Sequence, residues 1–166
     1  MERMWRPWRM DYVGNIESFR DEGCIFCTKA AAGDDRESLI LHRGETVYAI
    51  MNLFPYNTGH VMVTPYRHLG DLEKLEEEEL QELMGMTTLL IRVIKKEMQP
   101  QGFNLGINLG KAAGAGYDEH VHMHIVPRWQ GDTNFMPVVG ESKVMPENIA
   151  DTYSRLLARL KDLLND

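Results

Sequence analysis

The stretch from Glu119 to Trp129 constrains this chain more than any other. Apolar residues alternate there with histidine at period two, which predicts a β-strand. Residues i, i+2 and i+4 of a strand share one face. His120, His122 and His124 are therefore expected to project together, with Val121, Met123 and Ile125 turned into a core. Half of the chain's six histidines fall on this face. A strand whose outer face is merely solvated carries Thr, Lys or Glu at such positions. Two chemistries use clustered imidazoles: metal binding, and covalent catalysis with one ring as nucleophile and its neighbours orienting it. Upstream, Gly106 to Gly116 reads as an apolar strand end running into a Gly/Ala-rich loop with no bulky side chain before Tyr117. Such a loop lets backbone N–H groups approach a phosphate closely.

The rest of the chain sets bounds on that site. At 166 residues, 26% charged and 43% apolar, it is expected to be one soluble domain over 1–166 with a substantial core. No apolar run approaches 18 residues, so no membrane partner is expected. Arg3, Arg6 and Arg9 lack a following apolar h-region, so the N-terminus does not read as a signal peptide. Two cysteines spaced C-x-x-C exclude a disulfide scaffold and point to a reducing, cytoplasmic location. A net charge of −7 argues against nucleic acid as a partner but not against a small anionic substrate in a local N–H-rich pocket.

Residues 1–15, with Trp5 and Trp8, read as an arm that docks on its own domain, clasps a dimer or stacks on a base. Cys24 and Cys27 lie in a tight knuckle from Gly23; two thiolates can hold a metal ion only with two further ligands. No thioredoxin-like context surrounds them, which disfavours a redox dithiol. Leu39 to His42, Thr46 to Met51 and His60 to Thr64 are predicted strands of a meander. Asp71 to Met98 is the main helical region, with Leu80, Leu83, Met84, Thr87, Ile91, Ile94 and Met98 as its apolar stripe. The acidic run Glu76 to Glu79 reads as a solvated face at the helix start, where negative charge suits the macrodipole. Phe103 to Leu109 is a further strand. A loop containing Met136 to Val139 then leads to a C-terminal helix at 146–166, started by Pro146. The order β-β-β-α-β-β-α predicts an α+β fold: an antiparallel sheet of about five strands with a long helix and a C-terminal helix.

The run His120 to Val126 resembles the His-φ-His-φ-His-φ-φ signature of the histidine triad (HIT) superfamily of nucleotide hydrolases and transferases. Cys24 to Cys27, Met51 to His60 and Thr64 to His68 match that family in order and spacing, and the tail from Pro127 to Phe135 looks like its bacterial diadenosine tetraphosphate phosphorylase-like branch. The resemblance covers roughly residues 5–160. It implies the HIT fold and a homodimer joined sheet edge to sheet edge. It also implies a structural zinc, not required for the chemistry, on Cys24, Cys27, His68 and His120.

By the same resemblance His122 is the nucleophile, His124 a hydrogen-bond donor to the same phosphate, and His60 a third histidine lining the site. Asn52 matches a ribose-binding position, where a carboxamide can bond both hydroxyls. Asn108 matches a phosphate-contacting amide, and Gly114 and Gly116 belong to the phosphate loop. One departure stands out: Gly116 occupies the register where the fragile-histidine-triad branch has glutamine, four residues before the first histidine. The expected activity is nucleotidyl transfer from a dinucleoside polyphosphate or other AMP conjugate to water or phosphate. A phosphoramidate hydrolase, a nucleotide-binding signalling module with little turnover, and a zinc hydrolase with its metal on the triad remain as alternatives.

Overall fold

A computed structural model describes residues 23–132, 134–135 and 145–165. The arm at 1–15, with Trp5 and Trp8, and the segment Met136 to Val139 lie outside the described residues. Helices α1 (Ile25–Ala31) and α2 (Asp35–Ser38) precede strands β1 (Ile40–Arg43), β2 (Val47–Met51) and β3 (Val61–Pro65). A 3-10 turn at Leu72–Lys74 leads into α3 (Glu77–Met98), followed by β4 (Gly102–Ile107), β5 (Met123–Arg128) and α4 (Ile149–Asn165). The expected α+β order is present. The thiol knuckle is instead the start of a helix, with Cys24 at the N-cap of α1 and Cys27 in its first turn. Pro146 lies before the last helix; Asn148 caps it, accepting from the Asp151 N–H at 2.9 Å.

The sheet order is β1-β2-β3-β5-β4, antiparallel throughout. β2 is buried along its whole length, so its alternation separates two cores rather than core from solvent. Val47, Ala49 and Met51 join Val61, Val63 and Ile125 beneath α3 and α4. Tyr48 and Ile50 face the other way, with Ile40 and Met62, against Phe26 of α1 and Tyr117. The long helices thus cover one face. The opposite face is left to α1 and the loops, and this is the face on which the histidines emerge.

The buried stripe of α3 is Leu83, Met86, Thr87, Leu90, Val93 and Ile94, rotated from the predicted one. Leu80 and Met84 remain 39% and 50% exposed. The helix has apolar residues around most of its circumference, so periodicity admits both faces, and packing against the sheet and α4 selects one. The acidic run is not wholly solvated either. Glu79 is buried, accepting from Arg67 at 2.8 and 2.6 Å and from the Glu76 N–H at 2.8 Å in a capping box. The Arg67 guanidinium accordingly holds the Glu79 carboxyl below its usual pKa.

One turn farther along, Glu82 accepts from the backbone N–H groups of Glu45, Thr46 and Val47 and from the Thr46 hydroxyl. Burial alone would raise the Glu82 pKa, but these donors outweigh it and lower it. Replacing Glu82 by Ala strips three N–H groups of the β1–β2 turn of their acceptor. The expected cost is about 2–3 kcal/mol, seen by calorimetry as a melting temperature lower by roughly 4–12 °C. An unchanged transition would mean that water replaces the carboxylate at no cost.

Candidate active site

The site begins where the ladder between β3 and β5 stops. Val61, Met62 and Val63 pair with Ile125, His124 and Met123. Pro65 then offers no N–H, and the pairing cannot continue. Side chains and loop groups replace it: the Thr64 hydroxyl donates to the Val121 carbonyl at 2.8 Å, and the Val121 N–H donates to the Leu69 carbonyl at 2.7 Å. The triad is therefore a β-strand only from Met123 onward, a correction to the strand expected from His120. The alternation survives because the extended backbone does. Val121, Met123 and Ile125 meet the helix-side core, while His120, His122 and His124 are buried on the other side.

Two groups of histidines form there. His60, just before β3, lies beside His124, with Nε2 3.0 Å from His124 Nδ1. The Tyr56 N–H donates to His60 Nδ1 at 3.1 Å, and the Asn52 amide nitrogen lies 3.3 Å from the same atom. Facing these donors, His60 Nδ1 must be unprotonated. The proton then sits on His60 Nε2 and is donated to His124 Nδ1, which leaves His124 Nε2 as a donor. His122 is fixed differently. Its Nδ1 lies 2.7 Å from the His120 carbonyl and can only donate to it, so Nε2 keeps its lone pair. Burial lowers the pKa of His122, against the opposing pull of that carbonyl, and so favours the neutral ring.

His122 and His124 open into a cleft that is continuous with solvent. Asn52, Asn108, Gly114 and Gly116 all line it. Gly114 has φ +85°, a conformation that costs a residue with a Cβ. Asn52 already accepts the Phe54 N–H at 2.9 Å through Oδ1, so its carboxamide also braces the loop and His60. His60 is wholly buried and supports His124 from behind.

The apolar wall was missed from sequence. It consists of Ile25, Phe26, Ile50, Leu53 and Met62, with Lys29 at its edge donating to the Ser38 carbonyl at 3.1 Å. Phe26 lies between the two cysteines, a position that carries no signal of its own once the pair is read for metal. Tyr56 was missed as well; its ring lies 4.7 Å from that of His60 and 5.9 Å from that of His124. The loop carrying these groups is pinned to the end of β5 by Asn57, which donates to the Pro127 carbonyl at 3.0 Å and to Asp132 at 2.7 Å. Arg128 completes that anchor and holds the Asp132 carboxyl well below the usual carboxylate range.

The second group lies behind the cleft. The ligand atoms of Cys24, Cys27, His68 and His120 all fall within 4.8 Å of one another. His120 Nδ1 is 3.2 Å from Cys24 Sγ and 3.7 Å from Cys27 Sγ; His68 Nδ1 is 3.5 Å from Cys27 Sγ. Tetrahedral bonds of about 2.0–2.3 Å give edges of roughly 3.3–3.8 Å, a range that the three sulfur–nitrogen distances approach, so the donor set and its spacing fit a zinc ion. His120 Nε2 donates to the Pro65 carbonyl at 2.9 Å, the outer bond that leaves Nδ1 unprotonated for a metal. Burial pushes the His120 pKa down to about 4, which keeps the ring neutral. Burial and the neighbouring Cys24 push the Cys27 thiol up to about 11, a bias that a dication in the cluster would reverse.

Three elements converge to build this cluster. Cys24 and Cys27 come from the start of α1. Arg67, gripped by Glu79, presents His68. Gly70 lets its loop pass against the Asp118 carbonyl, where a Cβ would collide with the backbone. None of the four ligands belongs to the paired part of the sheet, so the cluster cross-links α1, the β3–α3 loop and the segment before β5.

Comparison with known proteins adds an independent line. The model of the family described as HIT domain matches residues 34–131. Over 163 residues the chain is 46% identical to AP-4-A phosphorylase of Mycobacterium tuberculosis, covering 95% of this chain and 83% of that one. It is 35% identical over 97 residues to bis(5'-adenosyl)-triphosphatase of Dictyostelium discoideum, covering 58% of this chain and 64% of that protein. Among solved structures, a Zn-bound histidine triad family protein from Mycobacterium smegmatis superposes with a TM-score of 0.70 at 25% identity, covering 87% of this chain and 97% of that one.

Proposed function

This chain belongs to the HIT domain family, and from that premise we propose that it is an enzyme of dinucleoside polyphosphates such as diadenosine tetraphosphate, working through a nucleotidyl-histidine intermediate with phosphate or water as acceptor. The observation that carries the reading is the 2.7 Å bond from His122 Nδ1 to the His120 carbonyl. It commits the other nitrogen, Nε2, to be the nucleophile. The Nε2 lone pair attacks the α-phosphorus; a P–N bond forms and the P–O bond to the departing polyphosphate breaks. The adduct is an imidazolium, and its Nδ1–H donates more strongly to the carbonyl once charged. His124 Nε2–H donates to an oxygen of the same phosphate, and His60 keeps His124 in that tautomer. The acceptor oxygen then attacks phosphorus, the P–N bond breaks, and His122 returns neutral.

The remaining assignments follow the cleft. The base stacks along the apolar wall beside Phe26 and Ile50. Asn52 bonds the ribose with the hydrogen-bonding capacity left by Phe54 and His60. Asn108, Gly114 and Gly116 supply N–H and amide contacts to the phosphates. Zinc, held by Cys24, Cys27, His68 and His120, supplies a structural cross-link, and no chemical step passes through it. Apolar side chains exposed on and beside the edge strand β4 (Leu105, Leu109) support a homodimer paired across that edge. Among the described residues no helix is long and apolar enough to cross a membrane. A thiol-bearing metal cluster suits a reducing cytoplasm.

Phosphate is the acceptor we favour, because a glycine stands at Gly116 where a bulkier amide would crowd a second anion. With diadenosine tetraphosphate and labelled phosphate, phosphorolysis gives ATP and labelled ADP. Hydrolysis gives ATP and unlabelled AMP whether or not phosphate is present. Absence of label from ADP would remove the phosphorylase reading and leave the histidine chemistry intact. No consumption of any dinucleotide or AMP conjugate would instead make the protein a nucleotide-binding module.

A further inference from the structure

His120 belongs to both histidine groups at once. Its imidazole is fixed between the two sulfurs and the Pro65 carbonyl. Its own carbonyl is the acceptor for His122 Nδ1. A ring held at both nitrogens leaves its residue little freedom to rotate, so the direction of that carbonyl is set by the cluster. Phe26 makes a second link. It sits between Cys24 and Cys27 in the first turn of α1, 4% exposed, with its ring centroid 5.1 Å from that of His120 and 4.8 Å from that of His122. Its carbonyl accepts the Tyr48 hydroxyl at 2.8 Å, which ties the turn to the sheet. His122 is therefore held at its edge by the His120 carbonyl and on its face by Phe26. The first hold traces back to the four ligands; the second depends on α1, which Cys24 and Cys27 would anchor to the metal and Tyr48 anchors to the sheet.

We propose that the Cys24, Cys27, His68 and His120 cluster positions the reacting imidazole, so that metal occupancy sets the rotamer and tautomer of His122 through the His120 carbonyl and the Phe26 ring. Cys24, Cys27 and Phe26 are then positioning residues, acting on substrate chemistry through His122. Losing the metal unlinks the start of α1 from the His120 ring and leaves Phe26 held by the Tyr48 bond alone; the His122 edge bond and the tilted ring against its face loosen in the same event. The cleft survives, because its sheet wall is built from β2 and β3. This inference rests on the reading of His122 as nucleophile, and it adds a dependence of that nucleophile on metal supply.

The test reads the imidazole directly. Nitrogen NMR of the zinc-loaded protein, with His122 assigned by its loss in His122→Ala, should show one Nδ1-protonated tautomer. Stripping the metal with a chelator should give a tautomer mixture and a kcat lower by roughly three- to tenfold, the scale of an off-rotamer side chain; added zinc should restore both. Phe26→Leu keeps every ligand, and so should keep about one zinc per chain while showing the same mixing and loss of kcat, which zinc does not rescue. If chelation unfolds the protein, Phe26→Leu decides alone. An unchanged His122 spectrum in Phe26→Leu, or in folded metal-free protein, overturns the proposal. The spectrum needs no substrate: metal-dependent mixing in a protein that turns over no nucleotide would leave the positioning intact and remove the nucleotidyl-transfer reading instead.

Discussion

His122→Ala should abolish turnover while leaving nucleotide binding nearly unchanged. The ring contributes one nitrogen to chemistry and only part of one wall to the cleft. Without it no P–N bond can form, and attack falls to water. A loss of at least about a thousandfold in kcat is expected, about 4 kcal/mol of barrier. Equilibrium binding of a non-hydrolysable dinucleotide should shift by less than about threefold (~0.7 kcal/mol). A variant retaining more than about a tenth of the wild-type rate would show that another group attacks phosphorus. The pH profile gives a second check on the same residue. Burial lowers the His122 pKa, so the ring becomes protonated, and loses its nucleophilic lone pair, only when pH falls through that lowered value. The acid limb of kcat/KM should therefore lie below pH 6.5, the ordinary histidine value. A limb at or above that value would contradict the buried, carbonyl-bonded ring.

The second large effect is expected on stability. Protein purified without chelator should carry about one zinc per chain. Removing it should lower the melting temperature by about 10 °C or more, because three separately anchored segments lose their common link; this corresponds to several kcal/mol for a chain of this size. Cys27→Ala should reproduce the loss and bring zinc content close to zero. The cost in kcat should stay near the three- to tenfold of mispositioning, far short of the loss in His122→Ala, since zinc enters no chemical step. Elemental analysis and calorimetry check this together. A metal-free protein with an unchanged melting temperature would return the four side chains to the role of ordinary thiols and histidines.

Much of this was legible before any coordinates, for reasons that are local. Alternation at period two placed His120, His122 and His124 on one side of the backbone, and that holds even where the sheet ladder fails, because extended φ and ψ alone produce it. The Gly/Ala loop likewise acts through its own covalent geometry. The number and order of strands followed from short apolar runs separated by turn residues. The C-x-x-C spacing marked a candidate pair of metal ligands, and resemblance of the surrounding motifs supplied His68 and His120 as candidates for the other two; the structure brings all four together.

What the sequence left open are the properties decided by partners distant along the chain. α3 has apolar residues on competing stripes, and only contact with the sheet and α4 selected Leu83, Leu90 and Ile94 over Leu80 and Met84. Glu79 looks like one of four surface acids until Arg67 reaches it from twelve residues away. Phe26 has no pattern of its own; it becomes a wall of the cleft because α1 lies against the face that β2 presents through Tyr48 and Ile50. The tautomers of His60, His122 and His124 are matters of which donor or acceptor stands within about 3 Å, and a sequence specifies residue types but not those distances. Periodicity therefore determined which side chains share a face, and tertiary packing alone decided which of their atoms are left to react.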